Sequence, residues 1–87
     1  MFAGCPTVVT ITPSTGTFAE GDVLTCTANG FNPTYAWTGT AGGVTISENG
    51  PTYELPEGQF IMACTATVAD LGCSTTKFII NTAYGKY

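Results

Sequence analysis

The chain has 87 residues, with two basic and six acidic side chains, no histidine and a net charge of −4. So few cations leave no basis for binding through phosphates, whether of nucleic acid or of an anionic membrane surface, and the missing histidine removes the commonest general base and metal ligand. At 44% hydrophobic and 11% aromatic the sequence can build a core, yet a chain this short buries only about 60–65% of its unfolded surface and is marginal unless cross-linked.

Threonine and glycine are the commonest residues, which favours strands and turns. Residues 1–6 read as an irregular arm ending at Cys5-Pro6. Residues 7–12 predict a first strand, stopped by Pro13, which cannot donate to a ladder. Residues 14–16 predict a turn, 17–19 a short continuation, and 20–22 a turn into a second strand over 22–28. There the two-residue period puts Leu24, Cys26 and Ala28 on one face, assigned inward. Asn29-Gly30 is a strong turn dipeptide, and Asn32-Pro33 extends the loop. A third strand over 34–38 sets Tyr35 and Trp37 on a shared face. The glycine-rich residues 39–43 read as a flexible loop. Residues 44–48 alternate with Val44 and Ile46 inward, and 49–51 turn the chain into 52–55, with Tyr53 and Leu55 inward.

The longest strand spans 58–68 and reads as central, with Phe60, Met62, Cys64, Ala66 and Val68 on one face. Its other face is mixed: Gln59, Ile61, Ala63, Thr65 and Thr67. Asp70-Leu71-Gly72 predicts a loop, residues 76–81 a last strand with Phe78 and Ile80 inward, and 83–87 a tail. Short strands separated by turn signals about every 8–12 residues predict an all-β sandwich of seven or eight antiparallel strands in a single domain over 1–87. No helical period extends over two turns, so no substantial helix is expected.

The four cysteines stand at positions 5, 26, 64 and 73. An even number suits two disulfides in an oxidising compartment. Their closest spacing, nine residues, is far from the tight pairs of a zinc site. Glu20 and Asp22 share one turn, Glu54 and Glu57 another. As a calcium site or a glycosidase dyad these pairs lack the further oxygen ligands or the partner geometry such chemistry needs, and they read as solvated turn residues. Thiol catalysis would lack its base. No catalytic, metal or cofactor residue is assigned, and an enzyme is not expected. Trp37, mid-strand on the inward face, reads as core and not as a ligand platform.

No apolar run nears the length of about 18 residues that a membrane span needs. Residues 1–5 lack the basic segment and apolar core of a signal peptide. Phe2-Ala3-Gly4-Cys5 has the form of a bacterial lipobox without the hydrophobic stretch that should precede it. Asn32 is followed by Pro33, so no glycosylation sequon forms. Three origins stay open: an excised domain, export by an unusual route, or a virion protein made in the cytoplasm and oxidised after lysis.

The residues resemble immunoglobulin-like domains, and more narrowly the compact bacterial and phage Ig-like or PKD-like type. Val9-x-Ile11-x-Pro13, Gly21-Asp22-x-Leu24-x-Cys26 and Trp37 look like strands A, B and C of that family. Residues 55–60 and 64–68 are similar to its E–F turn and strand F, and 69–74 to a cysteine-bearing F–G loop, so the likeness covers 7–82. Only 38 residues separate Cys26 from Cys64, and Met62 stands where vertebrate domains place a corner tyrosine. Both features point to the microbial or viral branch. The resemblance implies a Greek-key sandwich in which Cys26 pairs with Cys64 beside Trp37. That leaves Cys5 to pair with Cys73, tying the arm to the F–G loop.

It also implies a non-enzymatic structural protein: a decoration, or cement, protein on a tailed-phage capsid. Its partner would be the major capsid protein or another virion protein, with self-oligomers allowed. The candidate contacts are Met1, Phe2, Tyr84 and Tyr87, apolar and aromatic groups on the two ends. The rival expectation is an adhesion module excised from a bacterial surface protein, binding glycan or protein through loops 29–33 or 39–43. A third is a spacer in a cell-surface array.

Overall fold

The computed structural model describes residues 4–13, 18–56 and 59–81. Alternating, β-branched segments fold there as β1 (Val9–Thr12), β2 (Val23–Ala28), β3 (Thr34–Ala41), β4 (Val44–Asn49), β5 (Thr52–Glu54), β6 (Phe60–Val68) and β7 (Cys73–Asn81), with one 3-10 turn at Ala69–Leu71. All pairings are antiparallel. Strands β1-β2-β5 make a three-stranded sheet and β4-β3-β6-β7 a four-stranded one. The two sheets form a small all-β sandwich, the architecture the alternation predicts.

The core lies between them. Ile11, Leu24 and Cys26 of one sheet meet Trp37, Phe60, Met62, Cys64 and Ala66 of the other, with Phe18 and Leu55 closing the sides. Phe18 stands edge-on to Phe60, ring centres 5.3 Å apart. Each large apolar side chain here contributes about 1.5–3 kcal/mol through burial. Disulfides join Cys26 to Cys64 across the sheets and Cys5 to Cys73, with Cα separations of 6.6 and 5.8 Å. Every inward residue expected of β6, from Phe60 to Val68, is buried.

Several expectations change. In β7 it is Ile79 that is buried, 7% exposed, whereas Phe78 and Ile80 are 64% and 60% exposed. Directly opposed residues share a sheet face, and Ile79 opposes Met62 while Phe78 opposes Ala63. The phase is pinned by Cys73, held to Cys5, and by the Thr75 hydroxyl, which donates to the Pro6 carbonyl. A run of three apolar residues, Phe78-Ile79-Ile80, gives no phase of its own. The same pins start β7 at Cys73, ahead of the expected position 76.

Val44 has the inward phase, since it opposes Ala41, but is 62% exposed. It sits on an edge strand beyond the reach of the narrower facing sheet. Ile46, further in, does pack on the core.

Residues 39–43 are not a loop: Gly39, Thr40 and Ala41 belong to β3. The turn is Gly42-Gly43 alone, whose φ values of 62° and 83° suit a two-residue hairpin. Gly39, at φ 144°, lies so close to β6 that a Cβ would fall on the Ile61 carbonyl and 2.9 Å from the Met62 Cα. The glycine thus marks close packing of neighbouring strands.

The first strand begins at Val9, because the N–H groups of Thr7 and Val8 bond to the Asn29 side chain and not to a ladder. Phe18 and Ala19 carry no strand; Ala19 is in a turn with Asp22. The Thr12–Pro13 peptide is cis. The turn expected at 14–16 and the tail at 83–87 lie outside the described residues.

Candidate functional site

Three segments meet at one end of the sandwich: the arm over residues 4–8, the β2–β3 loop over 29–33, and the 3-10 turn before β7. Asn29 is their clamp. Its Oδ1 accepts the N–H groups of Thr7 and Val8 at 2.8 and 2.9 Å, and its Nδ2 donates to Thr7 Oγ1 at 2.8 Å. The Asn29 N–H donates back to the Val8 carbonyl at 3.3 Å, and the Phe31 N–H to the Gly4 carbonyl at 3.0 Å. Gly72, at φ 68°, closes the 3-10 turn by donating to the Val68 and Ala69 carbonyls. Leu71 lies against Gly4, where any Cβ would overlap it. With the Cys5–Cys73 bond beneath, this end is fastened to the core by covalent and polar links. Phe31, Leu71 and Val8 nevertheless stay exposed on it. Apolar side chains on a braced base can bind a surface with little ordering cost.

A second surface is the outer face of the four-stranded sheet. Ile61 of β6 opposes Ile80 of β7, and Ala63 opposes Phe78, so Ile61, Phe78 and Ile80 form one apolar patch. At the other end of this face is a shallow pocket of about 480 Å³ lined by Thr34, Asn49, Thr65 and Thr67, among others.

The inner chemistry is structural. Trp37 is fully buried, and among the described residues its Nε1 has no hydrogen-bond partner. The Tyr53 ring lies 6.0 Å from it. Burial, and then the charge of Glu48, raise the Tyr53 hydroxyl above its ordinary pKa of 10.0. The Tyr35 hydroxyl accepts the Ala28 N–H at 3.2 Å, linking β3 to the end of β2. Of the carboxylates weighed as ligands, Asp22 caps its own turn through the Ala19 N–H at 2.9 Å, and Glu57 lies outside the described residues. Among the described residues no cluster of three His, Cys, Asp or Glu side chains could hold a metal ion, and no helix is long and apolar enough to cross a membrane.

Of the expected contact residues, Met1, Phe2, Tyr84 and Tyr87 lie outside the described residues. Loop 29–33 does reach the braced end, whereas 39–43 is taken up by a hairpin. Sequence reasoning missed Leu71, set aside as loop, and it missed the outer-face patch by assigning Phe78 and Ile80 inward. A usable signal was present in β4 and β6: their positions facing away from the core, 45, 47, 61, 63, 65 and 67, contain no charge. The fold and these surfaces define a disulfide-stapled β-sandwich with exposed apolar side chains on one end and on one sheet face. No protein family, curated protein or solved structure matches the chain.

Proposed function

We propose that the chain is a non-enzymatic structural protein with an immunoglobulin-like sandwich, one that decorates the outside of a capsid or another virion part. The observation that carries this is the braced apolar end, where Phe31 and Leu71 flank Gly4 above the Cys5–Cys73 bond. Exposed apolar groups on a rigid base are the anchors of a protein–protein contact. Met1 and Phe2 stand three and two positions before Gly4 in the chain and have the same apolar character. The Ig-like reading is supported by the strand order, by the bridge between β2 and β6, and by Trp37 on β3 directly opposite Cys64. Two disulfides support a working place outside the reducing cytosol.

One observation favours the rival reading, an adhesion module on a bacterial surface. The pocket beside Thr34, Asn49, Thr65 and Thr67 presents hydroxyl and amide groups of the kind that bind sugars. A single experiment separates the two: quantitative peptide mapping of purified virions and of cell-surface fractions from the native source, followed by capsid co-sedimentation. Decoration predicts the intact chain on virions at a fixed ratio to capsid protein, with binding lost in Phe31→Glu and Leu71→Glu. Recovery only within a larger exported chain would overturn it in favour of adhesion.

A further inference from the structure

We propose that the outer face of the four-stranded sheet is a self-association surface, on which a second copy of this chain packs face to face. The register places on that face positions 34, 36, 38 and 40 of β3, 45, 47 and 49 of β4, 61, 63, 65 and 67 of β6, and 74, 76, 78 and 80 of β7. Every one is threonine, serine, alanine, asparagine, isoleucine or phenylalanine. Glu48 and Lys77 have the opposite phase, and Glu20, Asp22, Glu54 and Asp70 belong to turns or to the other sheet.

The charge argument selects the occupant. A chain of net charge −4 repels its own copy wherever carboxylates meet. Among the described residues this face brings two copies together with no carboxylate in the contact, and so needs no basic partner. One corner of it, at the β6–β7 edge, is already apolar: Ile61, Phe78 and Ile80 are 46%, 64% and 60% exposed, on the order of 300 Å² of contiguous apolar surface, the size at which such a patch marks an interaction site. Its polar groups are partly self-satisfied. The Thr65 and Thr76 hydroxyls bond each other at 2.9 Å, and the Thr34 hydroxyl donates to the Thr67 carbonyl at 3.4 Å, which lowers the cost of drying them. At ordinary strand spacing and rise the face offers about 450 Å² per copy, about 900 Å² in a dimer. That area suits a weak, concentration-dependent pair.

The contact lies on a different surface from the braced end and does not depend on the function proposed above. Sedimentation of the oxidised 87-residue protein from about 10 μM to about 1 mM tests it, in the concentration range of weak association. The wild type is expected to pass from monomer to dimer across that range. Phe78→Glu and Ile80→Glu, at exposed positions, are expected to stay monomeric with unchanged disulfide mass and strand content, and Val44→Glu to dimerise as the wild type does. Amide shift changes on dilution of the wild type, which need no variant, are expected on β6 and β7 around Ile61 and Phe78. A wild type monomeric at 1 mM, a dimer that survives both glutamates, or dilution shifts confined to residues 4–8 and 29–33 would each overturn the assignment.

Discussion

Removing the disulfides one at a time separates what a cross-link does to the unfolded chain from what it does in the core. The bonds close separations of 38 residues (Cys26–Cys64) and 68 residues (Cys5–Cys73). In the chain-entropy description each alone restricts the unfolded state by about 4 kcal/mol. The loops are nested. Once Cys26–Cys64 is closed, the bridge bypasses its 38 residues and leaves an unfolded path of about 30 between Cys5 and Cys73, still worth about 3.5 kcal/mol. The native-state terms differ much more. Cys5 and Cys73 are only half-buried, so alanine there opens little void. Cys26 and Cys64 are 1% and 0% exposed, with Trp37 directly across from Cys64; two alanines there lose a further ~1–3 kcal/mol to the cavity.

Against a total of about 5–15 kcal/mol for a small domain, Cys5→Ala/Cys73→Ala is expected to fold with its melting midpoint lowered by about 15 °C or more. Cys26→Ala/Cys64→Ala is expected to lose most of its stability and fixed tertiary packing. Urea unfolding followed by far-ultraviolet circular dichroism and Trp37 fluorescence measures both. Equal destabilisation of the two variants would refute the claim that the core pair carries a packing term in addition to its loop entropy.

Gly39→Ala is expected to cost about 2–4 kcal/mol, because a Cβ there meets the β6 backbone at a φ of 144°; Gly43→Ala, at φ 83° with open space around it, is the milder control in the same unfolding assay. Asn29→Ala removes the acceptor for two arm N–H groups and is expected to cost about 1–2 kcal/mol, seen as faster amide exchange at Thr7 and Val8 with β6 unchanged. Tyr53 is held protonated by burial and by Glu48, above its ordinary 10.0. Its contribution is therefore fully present below pH 10.0 and is lost as pH rises through the higher folded value. Thermal scans across that range should show a decline that is smaller in Tyr53→Phe; an identical decline would dissociate Tyr53 from it.

Alternation alone made β2, β6 and the sandwich class legible. Leu24 and Cys26, and Phe60 through Val68, recur at the period of a half-buried strand and are buried as that period requires. The cysteine count pointed to two cross-links, and both exist. Other features depended on contacts between segments far apart in the chain. Phe78-Ile79-Ile80 is apolar throughout, so its phase came from Cys5, Pro6 and Met62. Gly39 looked like loop until β6 lay beside it. Asn29 looked like a turn residue, and its clamp on Thr7 and Val8 spans more than 20 positions. A strand's period is a property of one segment and can be read locally. Its phase, its register and the face left in water are set by pairing across the chain, so only the tertiary structure decided where the exposed apolar patches lie.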